Sequence, residues 1–213
     1  MTSQTRTRPA LRLTVRVLAG AAVALVLVVV LLAVTLGGPN DREADLLVEA
    51  LGITPGMTVA EVGAGDGWLT VEMARRVGPA GRVYSTEIED WQLEEIRAAA
   101  RDAGVSNVTV LQAGERSTNL PPACCDAIFM RRVYHHLSAP GSVTSDLHRA
   151  LKPSGRLAVI EFGAGSVIGA VTREGIDSAD LARQVTDSGL EAVPVGDWPG
   201  LGHYVAVFRK PAP

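Results

Sequence analysis

The chain is predicted to be an α/β protein: a doubly wound, Rossmann-like, mostly parallel sheet with an antiparallel edge pair, preceded by one transmembrane helix. Three observations predict this. Beyond residue 44, apolar segments of strand length alternate with segments of helical periodicity, the pattern of a parallel sheet covered on both faces. The first strand runs into a glycine-rich turn that opens a helix, as in nucleoside-binding sheets. Ahead of both lies one long apolar run without charge.

The apolar run comes first in the chain. Of the 20 residues from Val17 to Leu36, only Gly20 and Thr35 are not hydrophobic, and no charge occurs from Val17 to Asn40. A helix of that length rises about 30 Å, the thickness of a bilayer core. The competing reading is a cleaved signal peptide, whose apolar stretch is normally shorter, about 7–15 residues. No small-x-small cleavage site follows this run. The expected organisation is a basic tail at 1–16, a membrane helix at 17–36, a linker at 37–43 and a globular domain at 44–213. Arg6, Arg8, Arg12 and Arg16 precede the run and Asp41, Glu43 and Asp45 follow it, so the positive-inside rule puts the N-terminus in the cytoplasm. The placement conflicts with any chemistry that draws on a cytoplasmic cofactor.

The globular part is then read element by element. Ala44–Leu51 is expected to be helical, and Pro55-Gly56 turns the chain. Thr58–Val62 is a first strand and Leu69–Val77 a helix. Arg82–Glu87 is a second strand, and Trp91–Ala103 a helix stopped by Gly104. Val108–Gln112 and Asp126–Met130 are the third and fourth strands. Ser142–Leu151 is a helix, and Pro153-Ser154-Gly155 turns into a fifth strand, Arg156–Phe162. Ser178–Ser188 is a helix with Ser178 as its N-cap. Glu191–Val195 and His203–Arg209 form the late antiparallel pair, a common addition to such sheets.

Composition narrows the function. The chain is 47% hydrophobic and 20% charged, which excludes a disordered or fibrous protein. Past residue 16 there are 16 basic and 23 acidic residues. An acidic domain is a poor partner for a phosphate backbone, so no nucleic-acid partner is expected. Cys124 and Cys125 are adjacent, a spacing that seldom forms a disulfide. They read as two small residues entering a buried strand.

Two features carry chemistry. In Glu61-Val62-Gly63-Ala64-Gly65-Asp66-Gly67 the glycines let backbone approach a ligand, and the following helix offers free N–H groups. Glu87 follows Gly67 by 20 residues, at the end of the second strand. A carboxylate there can accept both ribose hydroxyls. Dinucleotide-binding dehydrogenases space their glycines G-x-G-x-x-G, whereas this chain has G-x-G-x-G and no Tyr-x-x-x-Lys pair.

The E-x-G-x-G-x-G run resembles the first motif of class I S-adenosylmethionine-dependent methyltransferases. Other segments resemble the same family in order: Pro55–Val59, Val83–Ile88, Gln112–Glu115, Asp126–Met130, Val133–Leu137 and Leu151–Leu157. The resemblance covers residues 44–210. It implies S-adenosylmethionine as cofactor, with Gly63 and Gly65 along its methionine part and Glu61 and Asp66 at its amino end. It further implies Glu87 on the ribose, Ile88 over the adenine, Glu115 (where the family has Asp) at the adenine amino group, and Arg131 beside the methionine. Methyl transfer from a sulfonium needs alignment and desolvation first, and a base only for some acceptors. Tyr134, His135 and His136 are the candidate catalytic residues, since an imidazole can take a proton near neutrality. A structural reading of the two histidines stays open beside it. Adjacent histidines without a third ligand do not make a metal site.

The expected function is S-adenosylmethionine-dependent methyl transfer to a small-molecule or lipid-like acceptor, with the membrane reached through residues 17–36. The alternatives are a non-catalytic cofactor-binding or scaffold module at the membrane and, behind it, an NAD-dependent oxidoreductase. His203-Tyr204 is expected on an edge strand, and Trp68, Trp91 and Trp198 in the core or at a rim.

Overall fold

A computed structural model of the chain describes residues 39–164, 166, 175–195 and 203–212. The basic tail, the expected membrane helix and Trp198 lie outside the described residues. Among the described residues, no helix is long and apolar enough to cross a membrane. Contacts divide the chain into Met1–Glu43 and Ala44–Pro213, and the second unit carries the sheet.

The elements follow the expected order: α1 Pro39–Leu51, β1 Thr58–Val62, α2 Trp68–Val77, β2 Arg82–Glu87, α3 Asp90–Asp102, β3 Val108–Gln112, β4 Cys125–Arg131, a 3₁₀ turn Tyr134–His136, α4 Pro140–Ala150, β5 Leu151–Phe162, α5 Ser178–Thr186, β6 Glu191–Val193 and β7 His203–Arg209. The seven strands run β3-β2-β1-β4-β5-β7-β6. β1 to β5 are parallel, and β7 is antiparallel to both β5 and β6. The late pair therefore differs from the expected arrangement in one respect. β7 inserts between β5 and β6, so β6 holds the edge and His203-Tyr204 opens an internal strand.

Side-chain alternation along the strands divides the core into two layers. Val59, Ala127, Phe129, Ala158, Ile160, Val205 and Val207 face α1 and α2. Ala60, Val62, Ile128, Met130, Leu157, Val159 and Phe208 face α4 and α5. Buried acids interrupt this pattern at Glu61 and Glu161. β1 and β4 are neighbours although β2 and β3 lie between them in sequence. The chain thus reverses direction across the sheet there, and a crevice opens at the strands' carboxyl ends.

Three local expectations are corrected. Pro153-Ser154-Gly155 is incorporated into β5, and the β4–β5 register shifts between Cys125 and Ala127. The shift puts Cys125 and Ala127 on opposite layers. α5 is capped by Asp177, whose carboxylate accepts from the Ala179 N–H, and Ser178 is already helical. Cys124 and Cys125 are joined as a vicinal disulfide. Their adjacency, read in the sequence as an obstacle, is met here at the mouth of β4, where Cys125 enters the core and Cys124 stays half-buried.

Candidate functional site

The site grows from the end of β1. Gly63 has φ 74°, and a Cβ there would collide with the side chain of Val133, from the segment after β4. Only glycine combines that backbone angle with that approach. Gly67, with φ 79°, precedes α2, and a Cβ on it would stand 3.0 Å from the Cα of Ile96 in α3. The turn is thus clamped on two sides by elements distant in sequence. Between the clamps, a Cβ at Gly65 would meet nothing within 4 Å, because this residue faces open space.

That space is a cavity of about 500 Å³ lined by Glu61, Gly63, Ala64, Gly65, Asp66, Trp68, Glu87, Ile88, Gln92, Arg131, Arg132, Val133 and His136. Its volume suits a ligand of nucleoside size. Glu87, at the end of β2, accepts from the Gly65 N–H at 2.9 Å through Oε1 and from the Ile88 N–H at 3.0 Å through Oε2. Asp66 accepts from the Trp68 N–H at 3.2 Å. Trp68 lies under the Arg131 guanidinium, 5.7 Å from ring centre to Cζ.

Glu61 is the buried member. Thr70 donates to its Oε2, and the Thr70 hydroxyl lies 2.7 Å from the Ser85 hydroxyl. Burial pushes the Glu61 carboxyl up to about 8. The Thr70 hydroxyl and the Arg131 charge pull the other way, and the Asp66 and Glu87 carboxylates add to the rise. Near neutral pH burial thus favours the protonated form of Glu61. A cationic ligand group nearby would favour the carboxylate.

Seven of the eight expected cofactor residues share this cavity: Glu61, Gly63, Gly65, Asp66, Glu87, Ile88 and Arg131. Glu115 does not line it. Glu115 is exposed on the turn after β3, where Gly114 bridges back to Ser117. Of the three candidate catalytic residues, His136 lines the cavity. Tyr134 is buried and its hydroxyl donates to Gln184 of α5 at 3.2 Å. His135 stands behind His136, with ring centroids 3.9 Å apart, and its Nδ1 lies 2.7 Å from Glu161 Oε2. Tyr134 thus serves the core on α5, because the 3₁₀ turn points successive side chains in different directions.

The sequence did not single out Gln92, Val133, Arg132 or Glu161. Gln92 sits on the first turn of α3 and reaches Glu87 at 3.4 Å. Val133 owes its place to Gly63. Glu161 did carry a signal, as an acid inside an otherwise apolar strand.

A Rossmann-like sheet with this order, an acid at the end of β2 and a glycine turn facing the crevice define the fold class, the Rossmann-like α/β fold of S-adenosylmethionine-dependent methyltransferases. Residues 59–155 match the model of the family described as methyltransferase domain. The ubiquinone/menaquinone biosynthesis C-methyltransferase UbiE of Shewanella oneidensis is 34% identical over 116 residues, which are 54% of this chain and 46% of that protein. The chain therefore spans about half the length of the curated relatives it matches. An S-adenosylmethionine-dependent methyltransferase from Aquifex aeolicus superposes with TM-score 0.72 at 25% identity, covering 82% of this chain and 95% of the other. The [4+2]-cyclase SpnF superposes with TM-score 0.70 at 20% identity, covering 81% of each; at that identity the likeness concerns the fold.

The residues present fit S-adenosylmethionine. A carboxylate faces the cavity at the ribose position, an apolar Ile88 flanks it, and acidic Glu61 and Asp66 sit with Arg131 where an amino-acid end would lie.

Proposed function

We propose that this chain transfers a methyl group from S-adenosylmethionine to a small-molecule or lipid-like acceptor, at a membrane reached through an anchor over residues 17–36. The observation that carries this reading is the shared cavity of the glycine turn, Glu61 and Glu87 at the β1–β4 switch point. The cofactor supplies an electrophilic methyl on a good leaving group, so the chain's own part is alignment and exclusion of water. Gly63 and Gly65 let the main chain approach the ligand. Glu87 accepts the ribose hydroxyls while still held by the Gly65 and Ile88 amides. Glu61, Asp66 and Arg131 fix the amino-acid end, Ile88 flanks the adenine, and His136 borders the open side toward an acceptor. The similarity to a quinone-biosynthesis methyltransferase favours an apolar, ring-bearing acceptor.

The test is calorimetric titration of the full chain in detergent with S-adenosylmethionine, followed by labelled methyl transfer to prenylated phenols and quinols. Absence of binding heat sinks the reading. A second reading is a domain that binds the cofactor without turnover. It is favoured by the exposure of Glu115 and by the charge bias, which sets the domain opposite the cytoplasm. Binding without label transfer across the acceptor panel selects it. A reporter fused after Pro213 and active on one side of the membrane tells where the domain lies.

A further inference from the structure

β4 ends where the cavity begins, and its exit breaks the strand's own pattern. Successive side chains of a strand alternate between faces. Phe129 enters the layer on α1 and α2, and Met130 enters the opposite layer. Arg131 continues the alternation, with its guanidinium 5.7 Å from the ring centre of Trp68, the first residue of α2. Alternation would send Arg132 back to the Met130 layer. Its guanidinium lies instead over Phe162, 4.9 Å from the ring centre. Phe162 stands two residues beyond Ile160, which belongs to the Phe129 layer. The cause is local. Arg132 has φ 57°, a left-handed angle that a long side chain seldom takes. Its N–H still donates to the Ile160 carbonyl at 2.8 Å, so the chain stays fixed to β5 while the side chain is redirected. Two adjacent arginines thereby line one cavity.

Backbone held at such angles clusters where a site needs it. Here the angle brings a second guanidinium to the cavity wall, above a ring that is 7% exposed. A ring beneath a guanidinium restrains it, and the planar N–H fork matches a carboxylate or phosphate. The cofactor placement described above does not call on this residue. There, Glu61 and Asp66 meet the ammonium of the methionine end, Arg131 meets its carboxylate, and Glu87 meets neutral hydroxyls. Arg132 shares the next part of the wall with Val133 and His136. Glu161, the buried acid of β5, is held by His135 and by the Phe162 N–H. The wall beyond the cofactor is therefore apolar at Val133 and basic at Arg132 and His136.

We propose that Arg132 is a specificity-determining residue that holds an oxyanion of the methyl acceptor, a carboxylate or a phosphate, with His136 beside it. This rests on the methyltransferase reading above and names the acceptor's chemistry: an apolar body against Val133 and one anionic group on Arg132. The anion orients the acceptor through a contact remote from the atom that receives the methyl group, which is how binding energy is turned into alignment.

The experiment loads the full chain, in nonionic detergent, with S-adenosylhomocysteine, so that Arg131 faces the carboxylate of that ligand. The loaded chain is titrated with 2-naphthoate, 2-naphthyl phosphate and the neutral 2-naphthamide. The expected result is that at least one anion binds about tenfold or more tighter than the amide, and the tighter anion names the oxyanion. Arg132→Gln removes this preference and leaves S-adenosylhomocysteine affinity within about threefold. Arg132→Lys, which keeps the charge and loses the fork, retains part of it. In the wild-type chain the tighter anion, and not the amide, slows phenylglyoxal modification of Arg132 read by peptide mass, a measurement that needs no variant to fold. Anions that bind no tighter than the amide, a preference that survives Arg132→Gln, or an Arg132 modified at one rate with and without the anion each overturn the proposal. Absence of S-adenosylhomocysteine heat in the wild-type chain overturns the methyltransferase reading instead, and anion preference and Arg132 protection in the unloaded chain then judge Arg132 by themselves.

Discussion

The two halves of the site are built differently. The cofactor half, from β1 to α3, is assembled from one stretch of chain and works largely through backbone: a glycine turn, two amides on Glu87 and a helix packed on Gly67. The other half, around β4, β5 and the 3₁₀ turn, where we propose the acceptor approaches, is assembled from side chains 26 residues apart that meet only in the folded sheet. A backbone cradle tolerates little change because steric room is its function. A side-chain pair can be altered without moving the main chain. Substitutions in the first half should therefore abolish binding, and those in the second should spare binding and change rate.

The largest expected effect is Gly63→Val. The new side chain collides with Val133, and cofactor binding measured by calorimetry should fall more than 100-fold. Partial recovery in Gly63→Ala/Val133→Ala would sharpen the point, and undiminished binding would break it. Next is Glu87→Ala, which removes a charged acceptor from the ribose position. Charge-assisted hydrogen bonds contribute about 1.5–3 kcal/mol each, so binding should weaken roughly 10- to 100-fold at about 1.4 kcal/mol per decade.

Glu61 gives a pH signature. Burial raises its folded-state pKa to about 8 from the usual 4.5 of a free carboxyl, so the proton favours the folded chain. The associated stability is complete below pH 4.5 and is lost as pH rises through 8, at up to about 1.4 kcal/mol per pH unit. Melting temperature in the absence of ligand should fall across this window, and Glu61→Gln should flatten the slope. An unchanged slope would show that Glu61 is ionised throughout. The smallest effect is expected at Glu115→Ala, less than threefold on cofactor binding, because the residue is exposed and outside the cavity. A large loss there would show that the turn after β3 closes over the ligand.

The same contrast explains what could be read from the sequence. β1, β2 and the glycine turn were legible because alternation and spacing are local, and Glu61 and Glu87 came with them. Asp177 rather than Ser178 caps α5, a choice the sequence leaves open because both are good capping residues and only the chain's entry angle decides between them. The insertion of β7 inside the sheet had no sequence signal, since hairpin-like strands pair in either order. Val133 and Gln92 are cofactor-half residues by position only: nothing about a valine or a glutamine declares that it will face Gly63 or Glu87. Glu161 was visible as an acid among apolar neighbours, yet its partner His135 could not be known without the register of β4 on β5.

The internal position of β7 also sets an order of events during synthesis. β6 reaches the sheet only through β7, while Val205, Val207 and Phe208 close layers begun by Val59 and Ala60 near the start of the domain. Pairings that join such distant segments are slow to form. The sheet cannot be finished until residue 209 has left the ribosome, so β5 waits with one edge uncovered, and the nascent domain is open to misassociation until β7 docks.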